Sequence, residues 1–174
     1  TSKARRTGHL PLLVAESTGV VTATGSMRVL PHHSMSDCPP LDIVVVPGGW
    51  GFRHHMKNRA LHQWLRARAA QAETVTDVCT GSLLLSSAGL LDGLKATTHW
   101  RFLDTMRESF PEVMVEYNKH FVQDGRVFTS AGISAGIDMS LKVVEQYFGE
   151  TIARATARHM EYSYPDADGR RIKL

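Results

Sequence analysis

The sequence has little cysteine: Cys38 and Cys79 are the two thiols in 174 residues. Two cysteines cannot frame a disulfide scaffold of this size, and no zinc-type spacing links them. Long apolar runs are missing as well. None approaches the ~18–20 residues that cross a bilayer, and residues 1–8, TSKARRTG, are polar and basic rather than a signal peptide. An excess of one charge is also lacking. Lys and Arg total 20 against 17 Asp and Glu, a formal net charge of +3, too small a surplus to mark a nucleic-acid-binding face. The HExxH and two-histidine-plus-carboxylate spacings are absent, as are GxGxxG and a phosphate-loop lysine after PGGWG. No metal, nucleotide or other cofactor is therefore expected.

What is present is an ordinary globular composition, 43% hydrophobic and 21% charged, which excludes wholesale disorder. No repeat, linker or low-complexity tract divides it. The expectation is one domain over residues 1–174 with a polar tail at 163–174, located in the cytoplasm, with neither membrane nor nucleic acid as partner. TSKARRTG reads as a solvated loop or helix end, or else as a basic interaction arm.

Strand and helix signals alternate along the chain. Segments 11–16, 19–24 and 27–30 read as short strands of a hairpin or ribbon. The run LDIVVVPGG, 41–49, predicts a strand buried on both faces, as in a parallel sheet, ended by a glycine turn. Asn58 is the candidate cap of a helix over 59–71. A second buried strand over 74–78 leads through Cys79-Thr80-Gly81-Ser82 into a helix. A very short strand at 97–99, a helix at 100–109, strands at 113–117 and 126–129, and helices at 135–148 and 150–162 complete the pattern. Such alternation predicts an α/β fold with a mainly parallel sheet, whose ligands bind beyond the carboxyl ends of the strands. PGGWG (47–51) and CTGS (79–82) mark two such ends.

Cys79 stands where an apolar strand turns directly into a helix, with Gly81 two residues on, the arrangement of a nucleophile elbow. A thiol at a helix N-terminus meets free backbone N–H groups and the positive end of the dipole, and both favour the reactive thiolate. A buried, inert core cysteine fits the same spacing. Gly48, Gly49 and Trp50 either let backbone N–H groups approach a developing anion or form a plain turn. Thr80 either meets substrate or caps the following helix. Asp77 is either a proton donor on the cysteine's side of the strand or a strand-end carboxylate bonded to backbone. His32-His33 and His54-His55 read as exposed loop residues and His99 as a structural hydrogen-bonding residue. His120 and His159 have no recognisable partner, and Cys38 in the SDCPP loop reads as incidental.

The segments DCPPLDIVVVPGGWG (37–51), VTDVCTGSLLLSSAGLLDGLKATTHW (75–100) and TSAGISAGIDMSLKVVEQYFG (129–149) together resemble the ThiJ/PfpI superfamily, with its class I glutamine-amidotransferase-like fold. The combination of CTGS, AGLLDG and ATTHW is similar to isocyanide hydratases and to the sensor domains of AraC-type transcription regulators. The resemblance implies a flavodoxin-like three-layer α/β sandwich with a mainly parallel sheet, a cysteine nucleophile elbow, and a homodimer. It also implies a reaction: water is added to an isocyanide through a thioimidate on Cys79, giving an N-formamide. Backbone donors would lie near Gly49 and Trp50 and at Gly132, Ile133 and Ser134, with Thr80 orienting water or substrate and Asp77 as the proton carrier this sequence offers.

Thr80 stands where the protease branch has histidine, which disfavours peptidase and glyoxalase-like chemistry. No helix-turn-helix segment follows Tyr162, so a free-standing enzyme is expected over a catalytically silent, ligand-sensing regulator domain. A redox-responsive cysteine stress protein is the other alternative. Family members open with a strand–helix unit of about 30 residues that carries an acid. Its apparent absence before Pro11 sets the expectation that the natural protein continues upstream of Thr1 or lacks that acid.

Overall fold

The β-branched runs of the first forty residues make only two-residue pairings. The computed structural model describes residues 10–165, so the TSKARRTG stretch and the tail beyond Pro165 lie outside the described residues. Strand β1 (Val14–Ala15) pairs in parallel with β4 (His33–Ser34), while β2 (Val21–Thr22) and β3 (Arg28–Val29) form an antiparallel hairpin. The hairpin expected from 19–30 is therefore present, but the preceding apolar run joins a different partner. His33 is in a strand rather than a loop, and the Nδ1 of His32 accepts a hydrogen bond from the Leu13 amide at 2.9 Å. Cys38 is a buried thiol that donates to Pro39 O at 3.4 Å.

The described residues fall into two compact units that part between Pro40 and Leu41. The second unit carries the main sheet and six α-helices. Its elements in order are β5 (Ile43–Val46), α1 (Phe52–His55), α2 (Arg59–Gln71), β6 (Thr74–Asp77), α3 (Gly81–Ser87), β7 (Lys95–Ala96), a 3₁₀ turn at Trp100–Phe102, α4 (Leu103–Ser109), β8 (Met114–Val115), β9 (Phe121–Asp124), β10 (Val127–Ser130), α5 (Ala135–Phe148) and α6 (Glu150–His159). The sheet runs β5-β6-β10-β9, with β5, β6 and β10 parallel and β9 antiparallel to β10. Successive side chains of β10 separate the two faces: Val127 packs with Val44, Val46, Val75, Leu65 and Leu83 on the α2–α3 side, Phe128 with Phe121, Met139 and Val143 on the α5 side. This is a flavodoxin-like α/β sandwich, helices on both faces of a mainly parallel sheet.

Local chemistry explains the element ends. The side chain of Asn58 accepts from the Leu61 amide at 3.1 Å and starts α2 as expected. At the other end, the Arg126 guanidinium donates to the carbonyls of Ala69 and Ala72 at 2.6 and 2.7 Å, satisfying acceptors that a helix leaves open. Gly149, with φ of 88°, breaks α5 from α6, and α6 presents Ala153 and Ala157, one turn apart, as its buried face.

Three expectations need correcting. Strand β5 is not buried on both faces: Val44 and Val46 are buried while Ile43 and Val45 are 37% and 58% exposed. Among the described residues it pairs only with β6, and the α2–α3 layer covers one of its sides. The short strand forms at Lys95–Ala96, against β8, rather than at 97–99. Thr97 is instead a fully buried connection whose amide donates to Thr129 Oγ1 at 2.9 Å. His54 and His55 lie in helix α1, not in a loop.

Candidate active site

Strand β6 ends at Asp77, and two residues later Cys79 takes φ of 62°. A left-handed conformation at a residue with a Cβ costs about 1–3 kcal/mol and persists only where surrounding contacts hold it. Here both flanking peptides are tied. The Cys79 amide donates to Ser130 O at 3.1 Å, and its carbonyl accepts from Ser82 Oγ at 3.0 Å and Thr98 Oγ1 at 2.9 Å. The sharp turn lets α3 begin against the neighbouring strand end, and two glycines make the approach possible. A Cβ on Gly81 would lie 2.3 Å from Val46 O, and one on Gly48 would lie 2.5 Å from Val78 O and 2.8 Å from Cys79 Cβ. Gly81→Ala is therefore expected to destabilise the fold by about 1–3 kcal/mol through overpacking. An unchanged urea midpoint for that variant refutes the contact.

The sulfur is half-buried, with the backbone amides of Thr80 and Ile133 directed at it. Burial nonetheless dominates and pushes the Cys79 thiol up from its ordinary value; the amide hydrogen bonds pull it down, and the charge of Asp77 adds to the upward push. The thiolate expected from the helix N-terminus is thus not favoured. Losing water around a charged sulfur outweighs the two backbone N–H groups and the Thr80 hydroxyl that favour it. Iodoacetamide labelling should accelerate with pH about a midpoint above the usual thiol value of about 8.5, at Cys79 and not at buried Cys38. A midpoint below about 7.5 contradicts the burial argument.

Thr80 does not cap α3; its hydroxyl bonds Gly49 and also lies where it favours a charged Cys79 sulfur. Its Oγ1 accepts from the Gly49 amide at 3.0 Å and donates to Gly49 O at 3.2 Å, and it makes no cap bond. This fastens the 47–51 turn to the elbow, and it engages the Gly49 N–H that the sequence suggested as an anion donor. Gly49 itself has φ of 125°.

Asp77 departs further from expectation. It is fully buried, and neither carboxyl oxygen has a hydrogen-bond partner. The Ser130 and Ser82 amides lie close enough to oppose the effect of burial, but burial wins and raises the carboxyl well above its ordinary range. Asp77 is therefore not a backbone-bonded carboxylate. Nor is it among the residues that line the cavity.

Cys79 opens on a cavity of about 690 Å³. Gly48, Gly49, Trp50, Thr80 and Ile133 reach it, whereas Gly132 and Ser134 do not. Gly132 instead makes room for His99, whose Cδ2 would lie 2.8 Å from an added Cβ. The Tyr162 hydroxyl approaches the Ser134 carbonyl at 3.5 Å. Ile133, with φ of 27°, places its side chain at the mouth, 84% exposed. The wall that sequence reasoning missed comes from helix α1 and the 3₁₀ turn: Phe52, His99, Trp100, Arg101 and Phe102. Phe102 meets Phe52 and Trp50 edge-on, with ring centroids 5.2 and 6.4 Å apart. The signal available in the sequence was HWRF directly after the ATT segment.

His120 does have a partner: its Nδ1 lies 2.5 Å from Asp138 Oδ2, and Tyr162 donates to Asp138 Oδ1 at 2.9 Å. Among the described residues no group of three His, Cys, Asp or Glu is placed to hold a metal. No helix among them is long and apolar enough to cross a membrane.

This geometry defines a class, an α/β sandwich with a cysteine elbow at the carboxyl end of its parallel sheet, opening on an apolar cavity. Within that class, the family model of the DJ-1/PfpI family matches residues 2–146, and the chain belongs to that family. It is similar to an isonitrile hydratase of Pseudomonas putida, 39% identical over 144 residues that cover 82% of this chain and 61% of that protein. The HTH-type transcriptional regulator GbdR of Pseudomonas aeruginosa is 33% identical over 142 residues, 82% of this chain and 38% of the regulator. A crystal structure of a ThiJ/PfpI family protein from Pseudomonas syringae superposes with a TM-score of 0.81 at 32% identity, over 90% of this chain and 64% of that one. The chain thus spans less than two thirds of the length of each of these relatives.

Proposed function

We propose that this protein hydrates an isocyanide to an N-formamide, with Cys79 as nucleophile. The observation that carries the reading is the Cys79 sulfur, held between the Thr80 and Ile133 amides beside an apolar cavity; the likeness to an isonitrile hydratase supports it. The raised thiol fits this electrophile. As sulfur bonds to the terminal carbon of R–N≡C, the thiol proton ends on that carbon, giving the thioimidate Cys79–S–CH=N–R without a preformed thiolate. Water then adds to the thioimidate carbon, a proton moves to nitrogen, and the carbon–sulfur bond breaks. R–NH–CHO leaves and the thiol is restored. The amides of Thr80 and Ile133 steady negative charge on sulfur in both steps. Asp77, fully buried two residues before Cys79 and kept protonated by burial, serves as the proton reserve. Thr80 holds the 47–51 turn in place.

Incubation with an aryl isocyanide, followed by NMR for the formamide, tests the reaction. Production no faster than in buffer removes it. A second reading, a ligand-sensing domain, rests on the likeness to a transcription regulator; tight binding with no turnover is its signature. A redox-sensing role is less well supported, because oxidation proceeds from the thiolate that burial disfavours. The homodimer and the single-domain organisation carried by the resemblance belong to the same proposal, and light scattering on the purified chain measures the first.

A further inference from the structure

The cavity beside Cys79 is apolar over most of its wall, and the one side chain of fixed charge among its lining residues is Arg101. Among the described residues no carboxylate lines it. The Arg101 side chain has no acidic partner among the described residues, and its contact is the face of Trp100, 5.1 Å from guanidinium carbon to ring centroid. Asp104, one turn away on α4, is engaged with Arg107 at 3.2 Å and with the Tyr117 hydroxyl at 3.0 Å. At Trp50, a second exposed guanidinium, that of Arg53, lies over the ring at 4.9 Å.

These placements decide between two kinds of ligand. Aromatic walls by themselves suit a cation, which binds over ring faces. Here one face of each tryptophan already carries a guanidinium, so an incoming cation would meet two like charges and no acid. An anion meets the opposite situation: a planar fork of N–H donors with no acidic partner among the described residues, at the edge of an apolar cavity. A single guanidinium matches a single carboxylate, whereas a phosphoryl group calls for more donors.

We propose that this site selects ligands with an aromatic-sized apolar body and one carboxylate, with Arg101 as the specificity-determining residue. Joined to the hydratase reading, on which this part rests, the substrate class is an aromatic isocyanide bearing a carboxylate.

Three matched probes test it on the whole chain: 3-phenylpropanoate, 3-phenylpropanol and 3-phenylpropylammonium, titrated by calorimetry. The acid is expected to bind about ten- to a hundredfold more tightly than the alcohol, the range for a hydrogen bond to a charged group, and the ammonium most weakly. Arg101→Gln should bring the acid-to-alcohol ratio close to one, and Arg101→Lys should restore part of it, since it keeps the charge but not the fork. Circular dichroism confirms that both variants fold. Equal binding of the three probes, preference for the ammonium, an acid too weak to measure at millimolar concentration, or an unchanged ratio in Arg101→Gln each overturns the proposal. Turnover is read separately with phenyl isocyanide and 4-isocyanobenzoate. Acid-selective binding without formamide from either removes the hydratase reading and leaves the carboxylate site. Formamide from the neutral compound without preference for the acid does the reverse.

Discussion

Cys79→Ser is expected to reduce formamide production to the rate in buffer, while the variant still folds. Serine matches cysteine in size and leaves the three backbone ties of the elbow, to Ser130, Ser82 and Thr98, untouched. Its hydroxyl is a far weaker nucleophile than a thiol, and nothing beside it removes its proton: the neighbouring donors are amides, and the nearby carboxyl is held protonated. NMR detection of the formamide, with Cys38→Ser as the control that keeps turnover, measures the effect. If Cys79→Ser retains more than about a tenth of the wild-type rate, a loss of only about 1.4 kcal/mol in transition-state stabilisation, the sulfur is not the attacking atom.

Asp77→Asn should show two large effects at once. The first is on rate. Asparagine keeps the shape but holds no exchangeable acid proton, so turnover should fall by about 10² to 10⁴, the usual range for lost acid–base help. The second is on stability, and its sign follows from proton counting. Burial raises the folded-state Asp77 carboxyl well above its ordinary range, whereas the unfolded chain titrates near about 3.9. Between those two values the folded protein holds a proton that the unfolded chain has lost. The contribution of this group is therefore fully present below about pH 3.9 and declines as pH rises through the folded-state value. The wild type should show this falling component in urea melts from pH 4 to 9, and Asp77→Asn should lack it, gaining on the wild type as pH rises. Parallel pH profiles mean the carboxyl is not buried as described; a lost slope with undiminished turnover means it is buried but carries no proton for the reaction.

The pairing of these two residues shows how far local pattern reaches. TVTDVCTGS is legible as strand, sharp turn and helix because each signal is short-range: β-branched residues, then Gly81, where a Cβ would strike Val46 O. Period-two alternation also puts Val75 and Asp77 on one side of the strand. It does not say whether Asp77 reaches the cavity, and Asp77 is not among the residues that line it. Likewise, a helix N-terminus is visible in sequence but the water around a sulfur is not. The direction of the Cys79 shift depends on how much of the second unit closes over it. His120 appeared partnerless for the same reason: Asp138 is eighteen residues away, on a helix that packs across the sheet.

The amino-acid order by itself determined much of the succession of strands and helices in the second unit, though neither α1 nor β9, together with the helix start at Asn58, the break at Gly149 and the elbow at Cys79. Each follows from the conformational preferences of a few adjacent residues. Tertiary structure alone decided which face of β5 is covered, which residues share the cavity with the thiol, that Thr80 is spent on Gly49, and that both Cys79 and Asp77 favour their protonated forms. Those outcomes depend on solvent excluded by segments distant in sequence, and desolvation is a property of the packed molecule rather than of any stretch of chain.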